Sequence, residues 1–247
     1  VLVDMLERNN IPYRLKGGEK TFFTSRPVLD ITEIIRFINN PYDIDSFMAI
    51  YYKIGLYITK QTAEAACKIS SQKHITITDA LLGIDTGTQI SVNSKRNIKQ
   101  TAQLMRQAQS SSATEVLSII LHGMQYADYA HKNGLDENKY DILRMLARNV
   151  NSSAELIDRL SELSGIMAEH KDDPYSKFTL STVHSSKGLE YDCVYLLDVI
   201  DNVLPCITKD KLNDKEDIKQ YEEERRLFYV AVTRARKELY LFSDRKS

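Results

Sequence analysis

Between residues 46 and 172 apolar residues recur at spacings of three and four, and this rhythm constrains the fold more than any other feature of the chain. Val116, Leu117, Ile120, Leu121 and Met124 form one stripe. Ile142, Leu143, Leu146 and Val150 form a second, and Leu156, Leu160, Leu163 and Met167 a third. At about 3.6 residues per turn each stripe falls on one face of a helix, and each face must be buried against another. Polar stretches at residues 107–112 and 149–153 read as joints between helices. Residues 46–172 are therefore expected to pack as an all-helical domain.

The two ends carry a different pattern. Leu2, Met5 and Leu6 mark a short helical face that Asn9 and Asn10 break, and residues 11–15 suit a strand closed by a turn at Gly17 and Gly18. Ser25 and Pro27 open a helix with the apolar face Ile31, Ile34, Ile35 and Ile38, which Pro41 ends. Residues 178–183 are β-rich. Residues 193–200 form a run apolar along most of its length, as expected of a strand buried on both faces. A charged helix is expected over about 215–236 and a last strand over 238–242. The pattern predicts one α/β domain, built from residues 1–45 and 173–247 around a shared parallel sheet and interrupted by the helical insertion 46–172.

Charge and cysteine content narrow the partners. The formal net charge is −1, whereas a dedicated nucleic-acid module carries a basic surplus, so any DNA contact must rest on few, local groups. Cys67, Cys193 and Cys206 match no zinc spacing and their odd number argues against a closed disulfide framework. Free thiols in a reducing cytosol are expected, and with them a cytoplasmic location. The five histidines include no pair at ligand spacing, so no metal site is expected in this chain. No apolar run reaches the length of a membrane span and no secretory signal opens the chain, so no membrane partner is expected. The chain starts at Val1 rather than Met, which leads to the expectation of a fragment of a longer protein.

Two stretches carry chemistry. Thr182-Val183-His184-Ser185-Ser186-Lys187-Gly188-Leu189-Glu190-Tyr191 follows a strand and gathers hydroxyls, a lysine and a glycine into one loop. Strand-end loops of open α/β sheets are where ligands bind, and hydroxyls, backbone N–H groups and a lysine suit phosphate oxygens. Gly188 lets the backbone come close. A bare Ser-Ser-Lys-Gly is more often a polar surface turn. The second stretch runs from Glu222-Glu223-Glu224-Arg225-Arg226 through Leu227-Phe228-Tyr229-Val230-Ala231-Val232 to Thr233-Arg234-Ala235-Arg236. Acids before bases along one helix suit its dipole and could form i,i+4 pairs on a solvated face. That reading does not account for Arg234, which follows an apolar run expected to be largely buried, with Tyr229 in the core; an arginine emerging beside a cleft is suited to a phosphate.

Together the two stretches resemble motifs V and VI of superfamily-1 DNA helicases of the UvrD/PcrA/Rep kind. The pattern Thr-x-His-x-x-Lys-Gly-Leu-Glu-aromatic is complete, as is Glu-Glu-Arg-Arg-Leu-x-Tyr-Val-x-Val-Thr-Arg-Ala. Ile11-Pro12-Tyr13, Gly17-Gly18 and Phe22-Phe23 resemble the segment after motif IV, and the helical middle matches the family's insertion by position. The resemblance implies a second RecA-like domain of the P-loop-NTPase type, without a phosphate loop of its own. It implies that Thr182 and His184, with Lys187 beside them, lie along a single-stranded DNA track. It implies that Glu190 meets the nucleotide ribose, that Gly188 supports the nucleotide side of the loop, and that Arg234 is an arginine finger to the γ-phosphate. The implied partners are ATP with Mg2+, single-stranded DNA and duplex junctions, and a first RecA-like domain, with no small-molecule substrate besides ATP.

No Gly-x-x-x-x-Gly-Lys-Thr/Ser loop and no strand-end Asp-Glu pair occur in the sequence, and the arginine-bearing motif IV is missing. The first RecA-like domain and the magnesium ligands are therefore expected elsewhere in the parent protein, and this chain alone is expected not to hydrolyse ATP. The implied activity of the parent is ATP-driven translocation or unwinding with 3′ to 5′ polarity. The alternatives are the corresponding part of an AddA- or RecB-type helicase-nuclease subunit, and a non-catalytic DNA or protein interaction module. A hydrolase built on His184, Ser185 and Ser186 has little support, since no Gly-x-Ser-x-Gly elbow exists.

Overall fold

The structure is a computed structural model and describes residues 1–17, 21–83, 92–169, 176–201, 203–206 and 214–243. Gly18 and the expected boundary at residues 172–173 lie outside them. The chain is mixed α/β, mostly helical, with small parallel sheets. Its contacts divide it into two units, Val1–Asn10 with Glu19–Ala168, and Ile11–Gly18 with Glu169–Ser247.

The first unit is helical: α1 (Leu2–Arg8), α2 (Arg26–Asn39), α3 (Ile44–Ile50), α4 (Lys60–Lys73), α5 (Ile77–Gly83), α6 (Val92–Ala108), α7 (Ala113–Ser118), α8 (Tyr126–Lys132), α9 (Lys139–Ala147) and α10 (Ser153–Glu169). Local chemistry sets several starts. Asp43 accepts from the Ser46 amide at 3.1 Å and Thr59 from the Thr62 amide at 3.2 Å, while Ser112 and Glu115 form a reciprocal capping box. His74, in the left-handed region at φ 53°, ends α4. α7 runs into a π-helical turn, Ile119–Gly123. The expected stripes form the core: Ile31, Ile34, Ile35 and Ile38 of α2 are buried with Val116, Leu117, Ile120, Leu143, Leu146, Leu156 and Leu160. α2 packs against α3, α6 and α9.

Two buried carboxylates of this unit are paired. Asp30 accepts from Lys53 Nζ at 2.7 Å and from the Tyr126 hydroxyl at 3.1 Å. Asp4 accepts from Arg159 Nε at 2.6 Å and from Arg8 Nε at 3.1 Å. Burial, with the neighbouring Asp30 charge, raises the Tyr126 phenol well above its ordinary value, and burial pushes Tyr140 up to about 12.

The second unit holds β1 (Arg14–Lys16), β2 (Thr179–Ser181), β3 (Tyr191–Leu196), α11 (Lys215–Val232) and β4 (Ala235–Leu241). β1 pairs in parallel with β2, Lys16 opposite Ser181, and β3 in parallel with β4, Tyr195 opposite Tyr240. A single sheet joining residues 11–15 to residues 193–200 was the expectation; among the described residues the strands form two separate pairs. The β1–β2 ladder is three residues long because the backbone turns away at Gly17, φ +73°, and into the turn after Thr182.

The run at 193–200 is not buried on both faces as expected. Its strand ends at Leu196, and Tyr195 is 55% exposed. Within its unit α11 packs on this pair, leaving apolar side chains such as Leu197, Tyr240 and Phe242 exposed. α11 is capped by Asp214, which accepts from the Glu216 and Asp217 amides at 2.8 and 2.9 Å. It stops at Val232, short of the expected 236. The Thr233 hydroxyl lies 2.9 Å from the Tyr229 carbonyl and Arg234 Nε donates to Val230 at 2.9 Å, so side chains satisfy the last carbonyls and the chain turns directly into β4. Among the described residues no helix is long and apolar enough to cross a membrane, and no cluster of three or more His, Cys, Asp or Glu could hold a metal ion.

Candidate functional site

The loop after β2 is built by its own hydroxyls. The Ser185 amide donates to Thr182 Oγ1 at 3.2 Å, and Thr182 Oγ1 donates to Ser185 Oγ at 3.0 Å. These bonds start a 3₁₀ turn, His184–Ser186. Ser186 is buried, its amide donating to the Thr182 carbonyl at 3.1 Å and its hydroxyl to Val183 at 2.7 Å. Gly188, at φ +82°, turns the chain out of the loop toward β3 with open space where a Cβ would stand. Thr182, His184, Lys187 and Gly188 are all exposed. The His184 and Lys187 side chains make no hydrogen bond or ion pair among the described residues.

Arg234 joins this loop to the end of α11. Its Nη1 donates to the Leu189 carbonyl at 2.8 Å, its Nε to the Val230 carbonyl and its Nη2 to Thr233 Oγ1 at 3.0 Å. The Tyr191 amide donates back to the Arg234 carbonyl at 2.9 Å. The guanidinium is part-buried and held at three points, on a helix end and on the loop. Glu190, the next residue along the loop, is exposed and accepts from Arg236 Nε at 3.0 Å. The six residues singled out from sequence thus fall into one stretch of the second unit, Arg234 and Glu190 at its β3–β4 side and Thr182, His184, Lys187 and Gly188 along the loop.

Two expectations for the α11 stretch are corrected, and the alternative of a salt-bridged helix face is not what forms. Residues 227–232 are not largely buried: Ala231 alone among them is, because the helix is covered along one side only. Tyr229 is not core; it is 68% exposed. The acids and bases of the helix form no i,i+4 pairs among the described residues, and Arg225 and Arg226 stand exposed near Glu222 and Tyr229. A neighbouring cavity of ≈ 450 Å³, lined by Leu204, Pro205, Phe228 and Val232 among others, includes none of the six site residues. At its edge the Cys206 thiol donates to Glu224 Oε1 at 3.1 Å, and this bond raises the thiol above its ordinary range.

The partners of these residues carry little local signature in the sequence. Arg236 was visible only as the second arginine of Arg-Ala-Arg, and nothing local sets it against Glu190. The Leu189 carbonyl has no side-chain signature. Gly17 carried a signal, the Gly-Gly pair, but its contact with Ser185 depends on the β1–β2 register.

Loop and helix end are joined in the second unit through the Arg234 guanidinium, with exposed Thr182, His184, Lys187 and Gly188 along the loop. The model of the UvrD-like helicase C-terminal domain matches residues 1–246, and the chain belongs to that family. It is similar to the ATP-dependent DNA helicase PcrA of Staphylococcus epidermidis, 26% identical over 254 residues that cover 98% of the chain and 34% of the relative. It is also similar to the ATP-dependent DNA helicase Rep of Buchnera aphidicola, 26% identical over 267 residues, 97% of the chain and 39% of the relative. The chain therefore spans little more than a third of the length of these relatives.

Proposed function

We propose that this chain is the second RecA-like half of an ATP-dependent DNA helicase motor, residues 1–45 and 173–247 forming that domain around the insertion 46–172. The parallel pairing of β1 with β2, from opposite ends of the chain, supports the discontinuous arrangement, and the contacts draw the division more narrowly, at Ile11–Gly18 and Glu169–Ser247. The parent moves 3′ to 5′ on single-stranded DNA and works at duplex junctions, with ATP and Mg2+ bound against a first RecA-like domain. Exposed Thr182, His184 and Lys187 line the DNA track. Gly188 and Glu190 face the nucleotide, Glu190 toward a ribose hydroxyl because a carboxylate repels the triphosphate. The magnesium ligands belong to that first RecA-like domain.

The observation that carries the reading is the placement of Arg234. A guanidinium has five N–H donors, and three are used on Leu189, Val230 and Thr233. One N–H on each terminal nitrogen remains, enough for a forked contact to phosphate oxygens without releasing the anchors. Charge that grows on the γ-phosphate during transfer then meets a donor already in position.

The test is a steady-state ATPase titration of the intact protein with saturating single-stranded DNA. Arg234→Ala lowers the maximal rate by on the order of a thousandfold and Arg234→Lys does not restore it. Glu190→Ala raises the half-saturating ATP concentration by roughly tenfold with a smaller change in maximal rate. An Arg234→Ala rate within a few-fold of wild type removes the finger role. A DNA-stimulated rate from the 247-residue chain alone removes the half-motor reading.

A further inference from the structure

We infer that Gly17 is a positioning residue for the DNA-facing loop: its missing side chain makes room for Ser185, and Ser185 in turn sets the Thr182 hydroxyl. The inference rests on the reading of Thr182 and His184 as DNA contacts and adds a residue from the far end of the chain to that site.

Two separate demands make position 17 a glycine. The first is backbone: φ is +73°, in the left-handed region that a side chain disfavours. The second is space. A Cβ on Gly17 would collide with Ser185 Oγ, stand 2.8 Å from Ser185 Cβ and 3.3 Å from Thr182 Oγ1. The β1–β2 register produces this closeness. Lys16 lies opposite Ser181, so the next residue of each strand, Gly17 and Thr182, leave the ladder side by side.

The backbone behind Ser185 is held, so the exposed Ser185 side chain gives way and leaves its bond to Thr182. Ser186 is buried and tied through its amide and hydroxyl to the carbonyls of Thr182 and Val183. Thr182 Oγ1 bonds both the Ser185 amide and the Ser185 hydroxyl. A methyl at position 17 therefore breaks the Thr182–Ser185 bonds or turns the Thr182 hydroxyl, and moves the start of the turn that carries His184. Leu189 and Arg234 lie beyond the pinned Ser186, so the effect falls on DNA engagement and spares the maximal rate.

A double-mutant cycle on the intact protein separates the two demands. The variants are Gly17→Ala, Ser185→Gly and both together, with Gly134→Ala as the strain control. Gly134 has φ +62° in the helical unit and open space around its missing Cβ. The readouts are the oligo(dT) concentration that half-saturates the ATPase, the maximal rate at saturating oligo(dT), and hydrogen exchange at the Ser185 amide. Gly17→Ala raises the half-saturating oligo(dT) roughly tenfold, speeds Ser185 exchange and leaves the maximal rate within about threefold. In the Ser185→Gly background the same change shifts half-saturation by less than about threefold, because the collision is gone and only backbone strain remains. Gly134→Ala leaves half-saturation unchanged. Should Gly17→Ala fail to fold, Ser185→Thr crowds the same contact with the glycine intact and is expected to shift half-saturation the same way. Half-saturation within twofold of wild type for the crowded variant overturns the inference, as does a Gly17→Ala effect that Ser185→Gly does not relieve. Thr182→Ala distinguishes the two levels. If it weakens DNA engagement while Gly17→Ala does not, the positioning role falls and the DNA-track reading stands; if neither does, the DNA-track reading falls and the inference with it.

Discussion

Tyr126 and Tyr229 both sit on helices and meet opposite surroundings. Tyr126, in the helical unit, is fully buried, and its hydroxyl donates to a buried Asp30. Tyr229, on α11, is 68% exposed among arginines. The contrast holds more widely. Most side chains of the α2, α7, α9 and α10 stripes are buried, with Ile142, Val150 and Met167 half-buried, and the buried carboxylates Asp4 and Asp30 have cationic partners. In the second unit strands β3 and β4 leave tyrosines and leucines uncovered, while Thr182, Ser185, Ser186 and Glu190 of the 182–191 loop are held by hydrogen bonds. One unit spends its apolar residues on its own core, and substitutions there register as stability. The other holds its polar groups in place, and substitutions there register as binding or rate.

The largest test of that division lies at Lys53. Its side chain is 7% exposed and its ammonium lies 2.7 Å from Asp30. Lys53→Met leaves the Asp30 carboxylate buried with the Tyr126 hydroxyl and, at 3.9 Å, the exposed Arg26 guanidinium as its partners; removing one member of a buried pair costs about 3–5 kcal/mol, and the weak Arg26 contact offsets only part of it. Urea unfolding of the protein followed by circular dichroism is expected to show that loss, while Cys206, in the other unit, keeps its alkylation rate in native buffer. A loss under about 1 kcal/mol would mean that water reaches Asp30 and that the helical core is less closed than the contrast requires.

This asymmetry also explains what could be read from the residues beforehand. Where a helix buries its own apolar face within the same chain, spacing suffices: Ile31, Ile34, Ile35 and Ile38 were legible as one face, and Ser25 with Pro27 as its start. Residues 193–200 and 227–232 have the composition of buried segments, yet composition does not say whether a neighbour covers them, and here little does. The candidate site was legible as residue types in order, since Thr182, His184, Lys187, Gly188, Glu190 and Arg234 stand in recognisable patterns. Its wiring was not. The bond from Arg234 to Leu189 and the pair of Arg236 with Glu190 join residues 45 and 46 positions apart, through the parallel register of β3 and β4.

A smaller effect is expected at Cys206. Its thiol donates to Glu224 Oε1, and the bond to this carboxylate favours the protonated thiol, raising it above its ordinary value. Glu224→Gln removes the negative charge, so the thiol falls back toward its ordinary value. Near pH 8 the thiolate fraction then rises, and iodoacetamide labelling should quicken by roughly threefold. Well above the thiol's raised value both forms are fully ionised and the rates converge. Equal rates at pH 8 would show that Glu224 does not govern the thiol and that polar groups of the second unit are less closely held than the hydrogen bonds indicate.

The smallest effect is the one expected to be nearly absent. Tyr229 is an aromatic residue within an apolar run, and by composition its replacement should open a cavity costing about 3 kcal/mol or more. Its exposure of 68% says otherwise: little apolar area leaves water when the unit folds, so little is lost when the ring goes. No hydrogen bond from its hydroxyl exists among the described residues to leave a partner stranded. Serine keeps the hydroxyl and helix-compatible geometry at a modest propensity cost, so Tyr229→Ser is expected to change unfolding free energy by no more than about 0.5 kcal/mol. The comparison sharpens when the measurement is made twice, on the 247-residue chain and on the protein that carries it. A negligible loss in both leaves Tyr229 as an open surface, free to meet a ligand. A loss of about 2 kcal/mol in the longer protein alone would show that another part of that protein covers the ring, and the contrast between the units would then describe an interface rather than a difference in how their cores are built. A comparable loss in the chain by itself would place the ring in a core and break the comparison outright.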